Sequence, residues 1–195
     1  IGFIMNTVGI LLRWIESYQL GYGHAPFSNM YESLVFFSWT LALLYIFVEL
    51  KYKEQMVGVF ISPLVFLAIA YASFDPSIST KISPLLPALK SNWLIAHVIT
   101  CFLGYAGFAL AFGFSIIYFI KPSNPSSTSL FSRLPSWEII DELTYQMVVF
   151  GFLFLTIGII TGSVWANSAW GKYWSWDPKE TWSLITWFIY AIFMH

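Results

Sequence analysis

The chain has 195 residues, of which 58% are hydrophobic and 10% charged, and its mean hydropathy is +0.71. Soluble domains carry about 25% charged residues, so this composition excludes an ordinary water-soluble core and points to lipid as the solvent. A net charge of −1 excludes the basic footprint of nucleic-acid binding, and one cysteine, Cys101, excludes an internal disulfide framework or a Cys/His zinc site.

Apolar segments follow one another along the chain. Ile1–Leu12 reads as the remnant of a first span, with no charged n-region before it and therefore no signal-peptide character. Ser33–Val48 is a second, opened by Asn29 as N-cap and Glu32 as N3 residue. Met56–Phe74 is a third. Residues 91–120 and 143–171 hold no Asp, Glu, Lys or Arg, and each exceeds the ~20 residues needed to cross hydrocarbon. Thr181–His195 opens a sixth. Backbone polar groups must be satisfied internally in lipid, so all six are predicted as helices. The expected architecture is all-α: a polytopic transmembrane bundle of about six spans, residues 1–195 forming one membrane domain cut from a longer protein.

The connections differ in character. Residues 13–28 carry Gly21, Gly23, His24 and Pro26 and predict an ordered turn. Asp75–Lys90, with three prolines, is expected along the membrane surface. Lys121–Pro135 is rich in Ser and Pro and predicts a mobile segment. Trp137–Gln146 is amphipathic, with Ser136 as N-cap, and predicts an interfacial helix feeding the fifth span. Alternating spans put the loops at 13–28, 75–90 and 167–178 on one face. That face carries five Lys and Arg against four on the other, so charge does not orient the chain.

The stretch W170-G-K-Y-W-S-W-D-P-K-E-T-W182 packs four Trp, one Tyr and four charged residues into 13 positions. Asp177-Pro178-Lys179-Glu180 reads as a helix start: Asp at N-cap, Pro at N1 and Glu at N3. Tryptophans anchor membrane interfaces, but usually one or two per helix end. Four here, flanked by Trp165 and Trp187, also suit a flat platform for a planar amphipathic ligand such as a porphyrin. Three histidines are available. His97 lies near the face of the Trp loop. His195 lies roughly 25 Å down the last helix, toward the other side. His24 sits in the first turn. Neutral imidazole is the commonest haem-iron ligand, and ionisable groups inside membranes are usually functional. A hydrogen-bonded packing role is the alternative for each, most fitting for His24. No phosphate loop, HExxH or nucleophile elbow is present.

The Trp stretch resembles the WWD signature of haem-handling membrane proteins. With G23-H-A-P-F-S-N-M-Y-E-S33, S91-N-W-L-I-A-H97 and G158-I-I-T-G-S-V-W-A-N167, nearly the whole chain is similar to the CcsA family (also CcsB or ResC) of System II cytochrome c biogenesis. The resemblance implies haem b bound as substrate and presented at the outer face of an energy-transducing membrane. There it is attached to the CxxCH motif of apocytochrome c, with a CcsB/ResB (Ccs1)-like membrane partner, as part of a cytochrome c synthase. It implies a WWD loop spanning 165–187, on the periplasmic or lumenal side, with Trp170, Trp174, Trp176, Asp177 and Trp182 at the cofactor. His97 and His195 are the implied axial ligands, at an external and a membrane-embedded haem position. A bacterial plasma membrane is the expected location, a thylakoid the alternative. A haem exporter or relay without attachment activity, as in System I relatives, is the competing function.

Overall fold

The computed structural model describes residues 1–122 and 134–195. The mobile segment expected within Lys121–Pro135 falls mostly on residues outside that set. Among the described residues six α-helices follow in order: α1 (Gly2–Gln19), α2 (Met30–Tyr52), α3 (Gly58–Phe74), α4 (Asn92–Ile120), α5 (Trp137–Trp170) and α6 (Pro178–Phe193). Single 3₁₀ turns at Gln55–Val57 and Pro87–Leu89 precede α3 and α4, and no strand occurs among the described residues. The chain is a polytopic helix bundle. By length and composition α2, α4 and α5 can each cross a membrane, and α3 is a shorter apolar helix of 17 residues.

Capping residues set several starts. The Asn29 side chain accepts the Glu32 amide at 2.9 Å, Ser91 accepts that of Trp93 at 3.2 Å, and Ser136 accepts that of Ile139 at 3.4 Å. The amphipathic stretch after Ser136 feeds the fifth span without a break, because α5 runs 34 residues, roughly 51 Å. Its first turns bury Ile140 and Leu143 in the core and expose Asp141 and Glu142.

Side-chain bonds fix which loops share a face. His24 reaches Ser83, Asn29 reaches Lys81, and Trp165 reaches Ala88, so the first loop, the Pro-rich crossing and the end of α5 lie together. At the other face the Tyr52 hydroxyl donates to the Gln146 side chain. The alternation read from the sequence is therefore the observed one.

The two halves of the bundle pack differently. The main apolar cluster, including Leu41, Val48, Ile61, Leu110, Phe114, Ile117, Ile140 and Leu143, fills the half away from the Trp loop. The half beneath the Trp loop holds clefts instead. The α4–α5 pair packs most extensively. Small residues let it close: a Cβ at Gly107 would stand 3.0 Å from the Gly151 backbone. A buried ion pair joins α1 to α2, with Arg13 Nε 2.8 Å from Glu32 Oε1 and the Glu32 side chain 1% exposed.

Candidate functional site

α6 begins on a complete capping box. Asp177 Oδ1 accepts the Glu180 amide at 2.9 Å, and Glu180 Oε2 accepts the Asp177 amide at 3.3 Å. Glu180 Oε2 also accepts the Ser175 amide at 2.7 Å and its hydroxyl at 3.2 Å. One carboxylate thus holds the whole turn before α6. At the other end of the loop, Gly171 closes α5 in the left-handed region at φ 75°. Trp176 adopts φ 60°, a conformation that costs a residue with a side chain roughly 1–2 kcal/mol. The strain falls on the central tryptophan of the signature, held by its neighbours' hydrogen bonds.

Beneath this loop lies an open cleft of about 160 Å³. His97, Gly162, Trp165, Trp170, Tyr173, Trp174, Asp177, Lys179 and Glu180 are among the residues that line it. His97 sits five residues into α4, about 8 Å below its start. Its Nδ1 is 2.7 Å from the carbonyl oxygen of Gly158 on α5. A carbonyl only accepts, so Nδ1 carries the proton, and in the neutral ring Nε2 holds the lone pair, with the Cys101 sulfur 3.9 Å from it. The ring stacks on Trp165 at 5.8 Å between centroids and 24° between planes. A Cβ at Gly162 would stand 2.6 Å from His97 Nδ1 and 2.7 Å from Cε1, so the imidazole occupies space that any other residue would fill. The lone cysteine, Cys101, lies one turn further along α4, its sulfur 3.6 Å from Nδ1, as packing.

Aromatic rings make the rest of the wall. Trp165 and Trp170 meet edge to face at 5.0 Å, and Trp174 and Trp176 do so at 5.7 Å. The Trp174 indole Nε1 is buried and has no hydrogen-bond partner. An orphaned buried donor is costly, and this one is shut off from the cleft space, so a partner reaches it only if the loop shifts.

The structure thus brings His97, Trp170, Trp174 and Asp177 together. Trp176 is exposed against Trp174, and Trp182 is exposed on the outer face of α6, outside the cleft lining. His195 follows the end of α6, roughly 25 Å from Pro178, and is exposed at the other side. His24 is buried, with both ring nitrogens on carbonyl oxygens. Lys179 lines the cleft and Lys172 does not. Sequence reasoning passed over Gly162 and the Gly158 carbonyl. Their signal was the small residues four apart facing the helix of His97.

The chain is similar to known proteins over nearly its whole length. The family profile described as Cytochrome C assembly protein matches residues 27–195. A cytochrome c biogenesis protein CcsA from Chlorella vulgaris is 38% identical over 221 residues, covering 97% of this chain and 69% of the relative. One from Guillardia theta is 42% identical, covering 97% and 68%. One from Chlamydomonas reinhardtii is 43% identical, covering 95% of this chain and 52% of the relative.

Proposed function

The chain belongs to the CcsA family of cytochrome c assembly proteins, and from that premise we propose that its Trp-lined cleft binds haem and presents it for attachment to the CxxCH motif of apocytochrome c. Membership places the chain in cytochrome c biogenesis, as an integral membrane protein. The observation that carries the finer reading is His97. Its Nδ1 proton is committed to Gly158, its Nε2 keeps the lone pair with only the weak Cys101 sulfur contact at 3.9 Å, and its ring borders a cleft walled by indoles.

The residues present fit the edge of a haem: at about 160 Å³ the open cleft is smaller than the roughly 300–1,000 Å³ of a pocket that encloses a ligand of that size. Neutral imidazole in a fixed tautomer is a good iron ligand, and the hydrogen bond to Gly158 raises its basicity. Gly162 makes room for the imidazole beneath the cleft. The Lys179 ammonium suits the carboxylates of the propionates, and the Trp174 indole donor reaches one if the loop shifts. Trp170 and Tyr173 offer flat apolar surface, and the exposed rings of Trp176 and Trp182 extend it outward. The Asp177–Glu180 box holds the loop that carries these rings.

Bound haem b supplies the vinyl groups to which the thiols of the apoprotein add. The chain's own residues orient and shield. Proximity carries the rate, since a well-held reactant pair gains effective molarities up to about 10⁵–10⁸ M. A CcsB/ResB (Ccs1)-like membrane protein is the proposed partner for apocytochrome capture. It would also supply the ligand opposite His195 at a second haem position within the membrane. The cleft opens to the periplasm of a bacterial plasma membrane or to a thylakoid lumen.

The test is maturation in cells. Full-length protein and partner are expressed with a reporter apocytochrome c, and covalent haem is stained. His97→Ala and Trp174→Ala should each lower mature cytochrome at least tenfold at equal protein level. Normal maturation in both removes the cleft from the function. Haem content without any maturation would favour a relay that lacks attachment activity.

A further inference from the structure

α1 and α2 run antiparallel. Arg13 Nε donates to Glu32 at 2.8 Å, Asn6 Nδ2 to the Val35 carbonyl oxygen at 3.4 Å, and Trp39 Nε1 to Thr7 Oγ1 at 2.8 Å. Gly2, Met5, Asn6, Gly9, Ile10 and Arg13 recur at helical spacing on one face of α1. They line a groove of about 330 Å³, which Tyr31 and Val35 of α2 and Ile69 of α3 also line. A glycine weakens a helix and is usually found inside one where two helices close together. Gly9 has no such neighbour: a Cβ there, or at Gly2, would meet nothing within 4 Å. The missing side chains leave space that the protein does not fill.

The groove is apolar along most of its length and charged at one end. Asn6, midway, turns its amide to the Val35 carbonyl. From Gly2 to Arg13 the rise is roughly 16 Å. A bilayer's hydrocarbon core is ~30 Å thick, so the groove is about one leaflet deep. Its charged end lies beside the first turn of α2, on the face that carries the Trp loop. The acceptors there are spent, because Glu32 gives Oε1 to Arg13 and Oε2 to Ser28. Donors remain. Among the described residues Arg13 donates through Nε alone, and its terminal nitrogens have no hydrogen-bond partner. Nη2 is shut inside the pair, while the side chain as a whole keeps 17% exposure and lines the groove. A guanidinium half-used at the edge of lipid calls for an anionic oxygen.

We propose that this groove is a phospholipid site: one acyl chain lies along Met5, Gly9, Ile10 and Ile69, and a headgroup phosphate oxygen accepts from Arg13 Nη1. Guanidinium and phosphate match in charge and in the geometry of their hydrogen bonds. An uncharged amphiphile would fill the groove and leave the guanidinium unsatisfied. A free phosphate would satisfy it and leave the groove empty. A phospholipid of the leaflet on the Trp-loop side does both, and it fills the gap between α1 and α3. The site is built on α1, α2 and α3 and is independent of the haem reading, which rests on α4, α5 and α6.

The test is photolabelling. Full-length protein with its partner is stripped of lipid in dodecyl maltoside and given phosphatidylglycerol that carries a diazirine in one acyl chain. After irradiation the labelled residues are mapped by mass spectrometry. Met5, Ile10 and Ile69 should label well above Ile189 and Ile192, which are exposed on α6 and report ordinary contact with amphiphile. Unlabelled phosphatidylglycerol should suppress the groove label, and diacylglycerol with the same chains, which lacks the charged acceptor, should compete about tenfold less well. Gly9→Leu fills open space without touching Arg13, and should lose most of the groove label while Ile189 and Ile192 keep theirs. Groove labelling no stronger than that of α6 overturns the site, and so does its absence, which would mean that another segment covers the groove. Equal competition by diacylglycerol overturns the phosphate contact. Undiminished labelling in Gly9→Leu overturns the placement of the chain. The wild-type competition decides even if the variant fails to insert.

Discussion

His97 Nδ1 lies 2.7 Å from the Gly158 carbonyl oxygen, across the α4–α5 seam. That contact, between a side chain and a backbone of another helix, decides which imidazole nitrogen keeps the lone pair. It exists because α5 presents Gly158 and Gly162 on the face that meets α4.

Gly162→Ala tests the seam directly. The added Cβ would stand 2.6 Å from Nδ1, so the ring must move. Alanine is the better helix former by about 1 kcal/mol, so α5 itself is not weakened. Haem content in the purified protein should fall about tenfold with helical circular dichroism unchanged, and added imidazole should restore part of it. Wild-type haem content would show that the ring position is immaterial.

The tryptophans should separate by position. Trp174→Phe keeps a ring and removes the orphaned Nε1 donor. A hydrogen bond to a charged group is worth about 1.5–3 kcal/mol, so haem affinity should drop roughly 10- to 100-fold. Trp182→Phe, outside the cleft lining, should change it less than about twofold by the same reasoning. Haem titration followed by indole fluorescence quenching measures both.

Glu180 should matter more than its sequence role as an N3 residue implies. Asp177→Asn keeps a capping oxygen and should be near wild type, while Asp177→Ala should cost about 1 kcal/mol. Glu180→Ala removes the acceptor for Ser175 N–H, Ser175 O–H and Asp177 N–H together. Amide exchange over 171–177 should therefore rise most in Glu180→Ala. Equal exchange in the Asp177→Ala and Glu180→Ala variants would mean that the loop is held by other contacts.

The buried pair between α1 and α2 gives a stability prediction. Glu32 Oε1 accepts Arg13 Nε, and Oε2 accepts the Ser28 amide and hydroxyl at 2.7 Å each. Arg13→Ala leaves that carboxylate buried without its cation, a loss of roughly 3–5 kcal/mol. Adding Glu32→Gln removes the stranded charge and keeps an acceptor for Ser28. Thermal melting in detergent should place the double variant above Arg13→Ala.

What the sequence made legible follows from what has a side-chain signature. Charge-free apolar runs located α4 and α5, and Asn29, Ser136 and Asp177 announced their helix starts. His24 was readable as a structural histidine because Gly23 and Pro26 framed a turn. The Gly158 carbonyl was not readable, since a backbone acceptor leaves no mark in residue type. Trp182 joined the other tryptophans by density along the chain. The helix beginning at Pro178 turns it to the outer face, with Ile185 and Ile189. The tie from Trp165 to Ala88 spans 77 residues and depends on tertiary packing alone.

The central claim is that His97 Nε2 ligates haem iron in the Trp-lined cleft. Its most direct test is the visible absorption spectrum and haem-to-protein ratio of full-length protein purified with its partner, for wild type and His97→Ala. The variant should lose at least tenfold in haem at the cleft or show shifted haem bands, with imidazole restoring the wild-type spectrum. Unchanged bands at an unchanged ratio would contradict the assignment.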